Sequence, residues 1–197
     1  SPVQFGQVSR PGDIKYKDLN HDGVIDSNDQ APIGYNPVPE MTFSLTAGLN
    51  WKGFDFSVLL QGATRSSIYL QGDIAWDNSW GNYYEEHIGR WTPETAATAT
   101  YPRFTKAATA THPNYYKSDY WLKDSKYLRL KNIQLGYTIP RKLLKKIGIR
   151  SLRVYTNAYN LLTWDNVKKV DPESPNNSNG QFYPQQKVIN FGINLNF

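Results

Sequence analysis

The sequence predicts an all-β fold, an antiparallel transmembrane β-barrel with long external loops, to which this chain contributes five strands. Segments of about ten residues alternate between apolar and polar side chains, which is the length of a tilted strand that crosses a bilayer. The polar face carries Asn, Thr, Ser, Gly and Gln, which suits a water-filled lumen. Short and long connections alternate along the chain, as they do in barrels with short periplasmic turns and long external loops.

The first predicted hairpin covers residues 41–64. Its strands alternate strictly, and the two-residue turn Lys52-Gly53 joins them. The second hairpin covers 126–162, with a periplasmic turn at 140–151, and a terminal strand covers 187–197. The remaining segments are predicted external loops, at 1–40, 65–125 and 163–186.

One irregularity is visible in the second hairpin. Leu128 and Leu130 are out of phase with Ile133 and Leu135, which predicts a β-bulge near Asn132.

The alternation also assigns faces. Thr46 and Asn157 are predicted to face the lumen. Nine apolar side chains are predicted to face lipid: Phe43, Leu45, Leu49, Phe54, Phe56, Val58, Ile133, Leu135 and Ile139.

Composition excludes several classes of protein. The 22 Lys and Arg against 17 Asp and Glu give a net charge of +5, spread along the chain, which does not favour a nucleic-acid partner. The lack of cysteine excludes disulfides, Cys-ligated zinc and thiol catalysis. No apolar run approaches the ~18 residues of a transmembrane helix, and the first residues do not resemble a signal peptide.

A calcium-type loop is predicted at residues 18–29. Oxygen ligands occur at the spacing of an EF-hand loop, and Gly23 stands at the position that needs a sharp turn. The last position of the loop is Asp29, where an EF-hand loop has the longer Glu, and the flanking segments are not helical in pattern. The alternative is an Asx-rich turn stabilised by its own side chains, and Mg²⁺ with more waters is a second possible ion. The predicted ligands are Asp18, Asn20, Asp22, Val24 through its carbonyl, Asp26 and Asp29.

Aromatic side chains crowd the long loop at 65–125. Aromatic faces among amides can bind sugar rings or peptides by stacking and hydrogen bonding. The alternative is that these side chains pack on each other or form an interfacial belt. The candidate contacts to substrate or partner are Trp76, Trp80, Tyr83, Tyr84 and Trp91.

No catalytic motif is present in the sequence. The three histidines lie in loops without ligand spacing, and no nucleophile elbow, phosphate loop or zinc-protease motif occurs. The sequence therefore predicts a protein that is not an enzyme.

The last strand places an apolar side chain at every second position and finishes on Phe197. An exposed strand of this kind would invite aggregation at a free sheet edge, whereas barrel closure gives it two neighbours. Since five strands are too few to close a barrel, for which about eight is the minimum, the chain is interpreted as a C-terminal segment of a larger protein or one chain of a split one.

These residues resemble the C-terminal part of the SusC/RagA family of TonB-dependent outer-membrane transporters. The blocks that carry the resemblance follow one another over nearly the whole chain, and the loop at 65–125 matches least. They are Gly12 to Asn20 with its Asp-Gly continuation, Ile33 to Pro37, Trp51 to Phe56, Leu60 to Gly62, Tyr127 to Tyr137, Asn160 to Thr163 and Asp171 to Glu173.

The resemblance implies a barrel of about 22 strands in the outer membrane of a Gram-negative bacterium of the Bacteroidetes, in contact with its lipid. It also implies a plug and a TonB contact in a part of the transporter outside this chain, a SusD-like surface lipoprotein, and import of glycans or peptides. The terminal residues Phe191, Ile193, Leu195 and Phe197 resemble the signal that the outer-membrane assembly machinery recognises.

A different class of protein also fits the pattern. A secreted, calcium-stabilised β-sandwich that binds carbohydrate would share the alternation and the calcium loop. Such a module would never enter a membrane and should stay monomeric without detergent, whereas a barrel segment should aggregate or need its remaining strands.

Overall fold

The computed structural model describes residues 3–77, 83–105, 111–168, 170–174, 182–183 and 185–197. The chain divides into two compact units. The sheet unit is formed by 35–67, 124–174 and 183–197, and the loop unit by 1–34, 68–123 and 175–182. Trp80 falls outside the described residues.

The described residues form nine strands and one short α-helix. In chain order these are β1 Val3–Gln4, β2 Gln7–Val8, β3 Met41–Trp51, β4 Phe54–Thr64, β5 Ser67–Tyr69, β6 Leu122–Asp124, β7 Tyr127–Thr138, α1 Arg141–Leu144, β8 Ser151–Asp165 and β9 Val188–Asn196. Short 3₁₀ turns lie at Gly72–Ile74, Glu85–Gly89, Pro113–Tyr115 and Lys145–Ile147.

The sheet unit is one antiparallel sheet of five strands in the order β3-β4-β7-β8-β9. Neighbours in the sheet are neighbours among the long strands of the chain, as in an up-and-down barrel wall. The fold class predicted from the alternation is therefore confirmed. The small sheets β1-β2 and β5-β6 carry no alternation long enough to recognise, and the sequence did not predict them.

The register gives the sheet one apolar and one polar face. One row of apolar residues crosses all five strands, and each residue pairs with the next one across the sheet: Ala47, Val58, Ile133, Ala158 and Ile189. The adjacent row, on the opposite face, pairs Gly48, Ser57, Gln134, Asn157 and Asn190. A shift of one residue would exchange these faces, so the register is what separates lipid from lumen.

The apolar face of this sheet is exposed. Leu45 is 61% exposed, Leu49 64% and Ile193 68%. A β-sandwich would bury this face, whereas a barrel presents it to lipid. The predicted lipid-facing residues lie on it, except that Ile139 follows the last residue of β7.

The predicted bulge is confirmed and lies where the phase of the alternation changes. Leu60 of β4 pairs with Leu130 and Leu59 with Asn132, which leaves Lys131 as the extra residue of β7 against β4. On the other side, β8 places two residues, 160 and 161, opposite Lys131. The insertion returns Leu130 and Ile133 to the same face.

The two connections at one end of the sheet, β3 to β4 and β7 to β8, are short. Lys52 and Gly53 both have positive φ, 47° and 93°, as a two-residue hairpin turn requires. Between β7 and β8, α1 and the following 3₁₀ turn end at Gly148, whose φ of 72° closes the helix end. Short connections thus gather at one end of the sheet, and the long connections leave from the other.

The loop unit has its own core. Trp121 is 2% exposed and its Nε1 donates to the carbonyl of Asn114 at 2.7 Å. Asp13 accepts from Arg103 at 2.6 Å and from Asn114 Nδ2 at 3.1 Å, joining segments about ninety residues apart. The sequence pattern described 1–40 and 65–125 as separate external loops, and the structure combines most of both into one unit. Among the described residues, none of the helices has the length and apolar character to cross a bilayer.

Leu45 and Thr46 are adjacent residues on opposite faces and form a matched pair of test positions. We expect Leu45→Lys to destabilise the intact barrel by about 2–4 kcal/mol, because an ammonium group would be placed in hydrocarbon. Thr46→Lys places the same charge toward the lumen and should cost much less. Urea unfolding of the intact protein in liposomes measures both, and equal losses would contradict the assignment of faces.

Candidate functional site

The polar face of the sheet is the surface that a barrel turns toward its lumen. Several of its charged groups form ion pairs with each other. Two clusters of ion pairs lie on it, one near the short turns and one near the long connections, and polar amides and hydroxyls lie between them.

Asp55 and Arg153 form the ion pair near the short turns. The Arg153 guanidinium donates to both carboxylate oxygens of Asp55, at 2.9 and 2.5 Å, and thus joins β4 to β8 across β7. Gly136 of β7 lies directly beneath, where any Cβ would collide with both side chains. A larger residue at 136 would have to displace the charged ends of this ion pair, so glycine leaves room for the pair in its present position.

Tyr155 continues this layer of side chains. Its ring lies 4.8 Å from the Arg153 guanidinium carbon and covers Gly192 of β9, where a Cβ would again collide with the ring. Two glycines on the polar face thus let long side chains lie flat along the wall. The sequence pattern gives the alternation but not this layering, because Asp55 and Arg153 are about one hundred residues apart.

Arg129 forms the second cluster. Its side chain is 1% exposed and donates to Asp171 at 2.7 Å, to Glu173 at 2.5 Å and to the Thr163 hydroxyl at 3.0 Å. Tyr127 donates its hydroxyl to Glu173 at 2.6 Å. This network, here called the Arg129 clamp, fastens the start of the connection after β8 to the polar face.

The electrostatics of the clamp favour the ionised form of Glu173. Burial alone would raise the pKa of Glu173, but hydrogen bonds from Tyr127 and Lys131 outweigh it, and the pKa lies below the ordinary value for Glu. Removing a partner from such a group leaves a buried charge uncompensated, which costs more than the bond itself contributes.

The predicted calcium loop is a dense turn network. Asp18 accepts from the N–H groups of His21 and Gly23, at 2.6 and 2.9 Å. Asp22 accepts from Val24 N–H at 2.8 Å and from the Asn20 amide at 2.9 Å. The loop therefore has the oxygen chemistry that Ca²⁺ needs, while its carboxylates point at backbone N–H groups.

Asp26 and Asp29 complete this network. Asp29 accepts from Leu19 N–H at 2.7 Å and from Asp26 N–H at 2.9 Å, closing the loop end to end. Hydrogen bonds from Asp26 and Leu19 hold the pKa of Asp29 below its ordinary value. Across the described part of the chain, no three acidic or histidine side chains are grouped as a metal site. The calcium site stays a prediction.

The predicted contact aromatics do not form one platform in the described residues. Trp76 packs against Tyr115, with ring centroids 5.0 Å apart. Trp91 is covered by Gly12, where a Cβ would lie 2.6 Å from the indole ring. These two side chains therefore have packing partners in the loop unit.

Tyr83 and Tyr84 are more accessible, at 58% and 39% exposure. The Tyr83 ring contacts Phe104 at 5.4 Å, and the N–H of Tyr84 donates to Nδ1 of His87 at 3.0 Å. Their role in binding substrate or partner also stays a prediction.

The sequence did not predict that Asp77 would be the centre of a buried hydrogen-bond network. Asp77 is 1% exposed and accepts from the hydroxyls of Tyr115 and Tyr101 and from Thr105 N–H. Burial raises the pKa of both tyrosines above the ordinary value, so they stay protonated donors. Its partners lie 24–38 residues away, so no local pattern marks Asp77.

The terminal residues lie as the alternation predicts. Phe191, Ile193 and Leu195 are on the apolar face of β9, and Phe197 follows the end of that strand and is 75% exposed. Their role as an assembly signal stays a prediction.

Comparison with known proteins places this architecture in context. No family model matches the chain. It is 30% identical over 202 residues to TonB-dependent receptor P26 of Formosa agariphila, in a match that covers 94% of this chain and 20% of that protein. It is 25% identical to TonB-dependent receptor SusC of Bacteroides thetaiotaomicron, over 98% of this chain and 18% of SusC.

A solved structure gives the same result. The RagAB peptide importer in the open-open state superposes with a TM-score of 0.67 at 25% identity, over 87% of this chain and 19% of that chain. This chain thus spans about a fifth of the length of the proteins that it matches.

A single two-faced antiparallel sheet with one exposed apolar face defines a segment of a large outer-membrane β-barrel. The matched proteins indicate which kind of barrel this is, because each match extends over most of this chain. Over nearly its whole length the chain matches a segment of TonB-dependent receptors of the SusC/RagA type. Such receptors are outer-membrane proteins of Gram-negative bacteria and are not enzymes.

The Arg129 clamp generates a pH-dependent prediction. Because the folded pKa of Glu173 is depressed, its contribution to stability is present above the unfolded pKa of Glu and is lost as the pH falls through the folded pKa. We therefore expect backbone amides at 170–174 to lose hydrogen-exchange protection in acid.

Glu173→Gln should remove that pH dependence and lower the local opening free energy at neutral pH by about 1–3 kcal/mol. The control is Lys131→Gln, which removes a partly exposed partner of the same carboxylate and should cost less than about 1 kcal/mol. Identical exchange in the wild type and Glu173→Gln at every pH would show that the clamp does not hold this segment.

Proposed function

We propose that this chain forms part of the wall and the external loops of a TonB-dependent importer that works with a SusD-like surface lipoprotein. The observation that carries the proposal is the two-faced sheet, in which an exposed apolar row lies beside a polar row across five strands. A wall of this kind separates hydrocarbon from an aqueous lumen.

The proposed substrate is a glycan, with a peptide as the second candidate. RagAB is described as a peptide importer, which supports the peptide class for a relative, and the glycan class comes from the resemblance to the SusC/RagA family. The lumenal wall presents Gln134, Asn157 and Asn190, whose amides can bond either sugar hydroxyls or peptide groups. Energy coupling through a plug and TonB is proposed for the remainder of the transporter.

The test is genetic and uses the intact transporter in its own cell. Deleting its gene should abolish growth on one class of oligomer, oligosaccharide or peptide, while growth on the corresponding monomers is unchanged. Deleting TonB should reproduce the defect, and affinity purification from the outer membrane should recover a surface lipoprotein. Unimpaired growth on both oligomer classes would contradict the importer.

We also propose that the loop at 18–29 binds Ca²⁺ as a structural staple, with Mg²⁺ as the weaker ion. The donor chemistry supports this, since side-chain oxygens of Asp18, Asn20 and Asp22 and the carbonyl of Val24 are hard ligands at EF-hand spacing. When bound, the ion would neutralise carboxylates that now accept only backbone and amide N–H groups.

Calcium is expected to increase hydrogen-exchange protection at 18–29 in the intact protein, and Asp22→Ala should abolish that increase. His21→Ala is the control, because its side chain is not a predicted ligand although it lies in the same loop. If protection is the same with calcium and with a chelator, the loop is a self-sufficient Asx turn.

A further inference from the structure

The short connection between β7 and β8 is strongly basic. Residues 141–150 include five cationic side chains, and the sequence has no Asp or Glu between Asp124 and Asp165. The five cations are all exposed: Arg141, Lys142, Lys145, Lys146 and Arg150. Among the described residues none of them forms an ion pair, whereas the other three arginines of the sheet unit each have a carboxylate partner. This connection, here called the basic turn, therefore carries five positive charges without a counter-charge of its own.

The basic turn also leaves two apolar side chains uncovered. Leu144 is 4% exposed and α1 packs against β8, which fixes the turn to the sheet. Leu143 and Ile147 are 69% and 64% exposed. Because the chain is helical over 141–147, residues four apart are neighbours, and these two side chains form a small apolar surface among the cations. A basic helical segment with an exposed apolar side is typical of segments that lie at a membrane surface.

The sheet itself places a hydrocarbon boundary close to the basic turn. Trp51, Phe54 and Tyr137 pair in one row of the apolar face at this end, with the Phe54 and Tyr137 rings 4.5 Å apart. Aromatic side chains of this kind gather at the membrane–water interfaces of barrels. Arg141 is four residues beyond Tyr137, a separation of at most ~14 Å, and long basic side chains extend that reach. The cations therefore lie near the headgroup layer, at the periplasmic end where barrels have their short turns.

The opposite end of the sheet has a different charge pattern. There Arg65 pairs with Glu40 at 3.5 Å and Lys126 pairs with Asp124 at 2.9 Å, so both signs of charge occur together. Near the basic turn, by contrast, the carboxylate of Asp55 is already bound by the Arg153 guanidinium on the polar face. The cations of the basic turn are thus available to an external anion.

We propose that the basic turn binds anionic phospholipid of the periplasmic leaflet. Its lysines and arginines contact headgroup phosphates, and Leu143 and Ile147 insert at the hydrocarbon boundary. Phosphate oxygens match ammonium and guanidinium donors that have no internal partner. The exposed apolar pair and the nearby aromatic row favour lipid over an acidic soluble protein, because both kinds of side chain belong at that boundary. The proposal depends on the barrel assignment and is independent of import.

Hydrogen exchange of the intact transporter in nanodiscs tests this contact. Phosphatidylglycerol added to phosphatidylcholine nanodiscs should slow exchange of the backbone amides at 142–148 by about fivefold or more, and salt at about 1 M should reduce the effect. Lys145→Gln combined with Lys146→Gln should remove most of it, because two of the five cations are lost. Leu143→Gln should also reduce it, since the apolar side chain would no longer insert.

The matched control removes two exposed cations at the other end of the sheet. Lys168→Gln combined with Lys187→Gln should leave exchange at 142–148 within about twofold of the wild type in both lipid compositions. All of the substituted side chains are exposed, so the sheet should form in every variant.

Equal exchange at 142–148 with and without phosphatidylglycerol would overturn the proposal and leave the basic turn in water. A phosphatidylglycerol effect that is the same in the wild type and in the Lys145→Gln, Lys146→Gln variant would also overturn it, because the charges would then not make the contact. No change in Leu143→Gln would overturn the insertion of the apolar pair. Growth on oligomers, measured for the same variants, reports import separately.

Discussion

Backbone hydrogen bonding in hydrocarbon is the constraint on which the rest of this structure depends. Every N–H and C=O within the bilayer must find a partner, and a sheet does this only through its neighbouring strands. Strands must therefore be long, paired along their length and fixed in register. The bulge at Lys131 is compatible with this demand because pairing resumes on both sides of it. β3 and β9 are the edges of the sheet, so each requires a further strand in the intact barrel.

Once the register is fixed, the polar face carries two clusters of paired charges. Asp55 meets Arg153, and Arg129 meets Asp171 and Glu173, so the two clusters add little net charge to the wall. Glycine provides the space that these pairs need, at 136 beneath the Asp55–Arg153 pair and at 192 beneath Tyr155.

Local pattern explains what the sequence could predict. A period of two requires only neighbouring residues, so the strands, their faces and the bulge near Asn132 could all be predicted from the alternation itself. The clamp at Arg129 and the Asp13–Arg103 pair could not, because their partners are about 40 and 90 residues distant and follow no period. The combination of 1–34 with 68–123 in one unit is of the same kind, since composition alone describes both segments as polar loops.

The difference between the regular sheet and the loop unit also bears on substrate specificity in the proposed importer. In the proposed importer, the wall would offer a substrate a row of amides such as Gln134, Asn157 and Asn190, which discriminates little between sugars and peptides. Discrimination must then come from groups held outside the repeating register, because only there can side chains converge from distant segments. In this chain such convergence occurs in the loop unit, where Asp77 gathers Tyr101 and Tyr115 and fixes the aromatic core. In the proposed importer, the wall would therefore be the less selective part of this chain, and the loop unit is the part where side chains from distant segments converge.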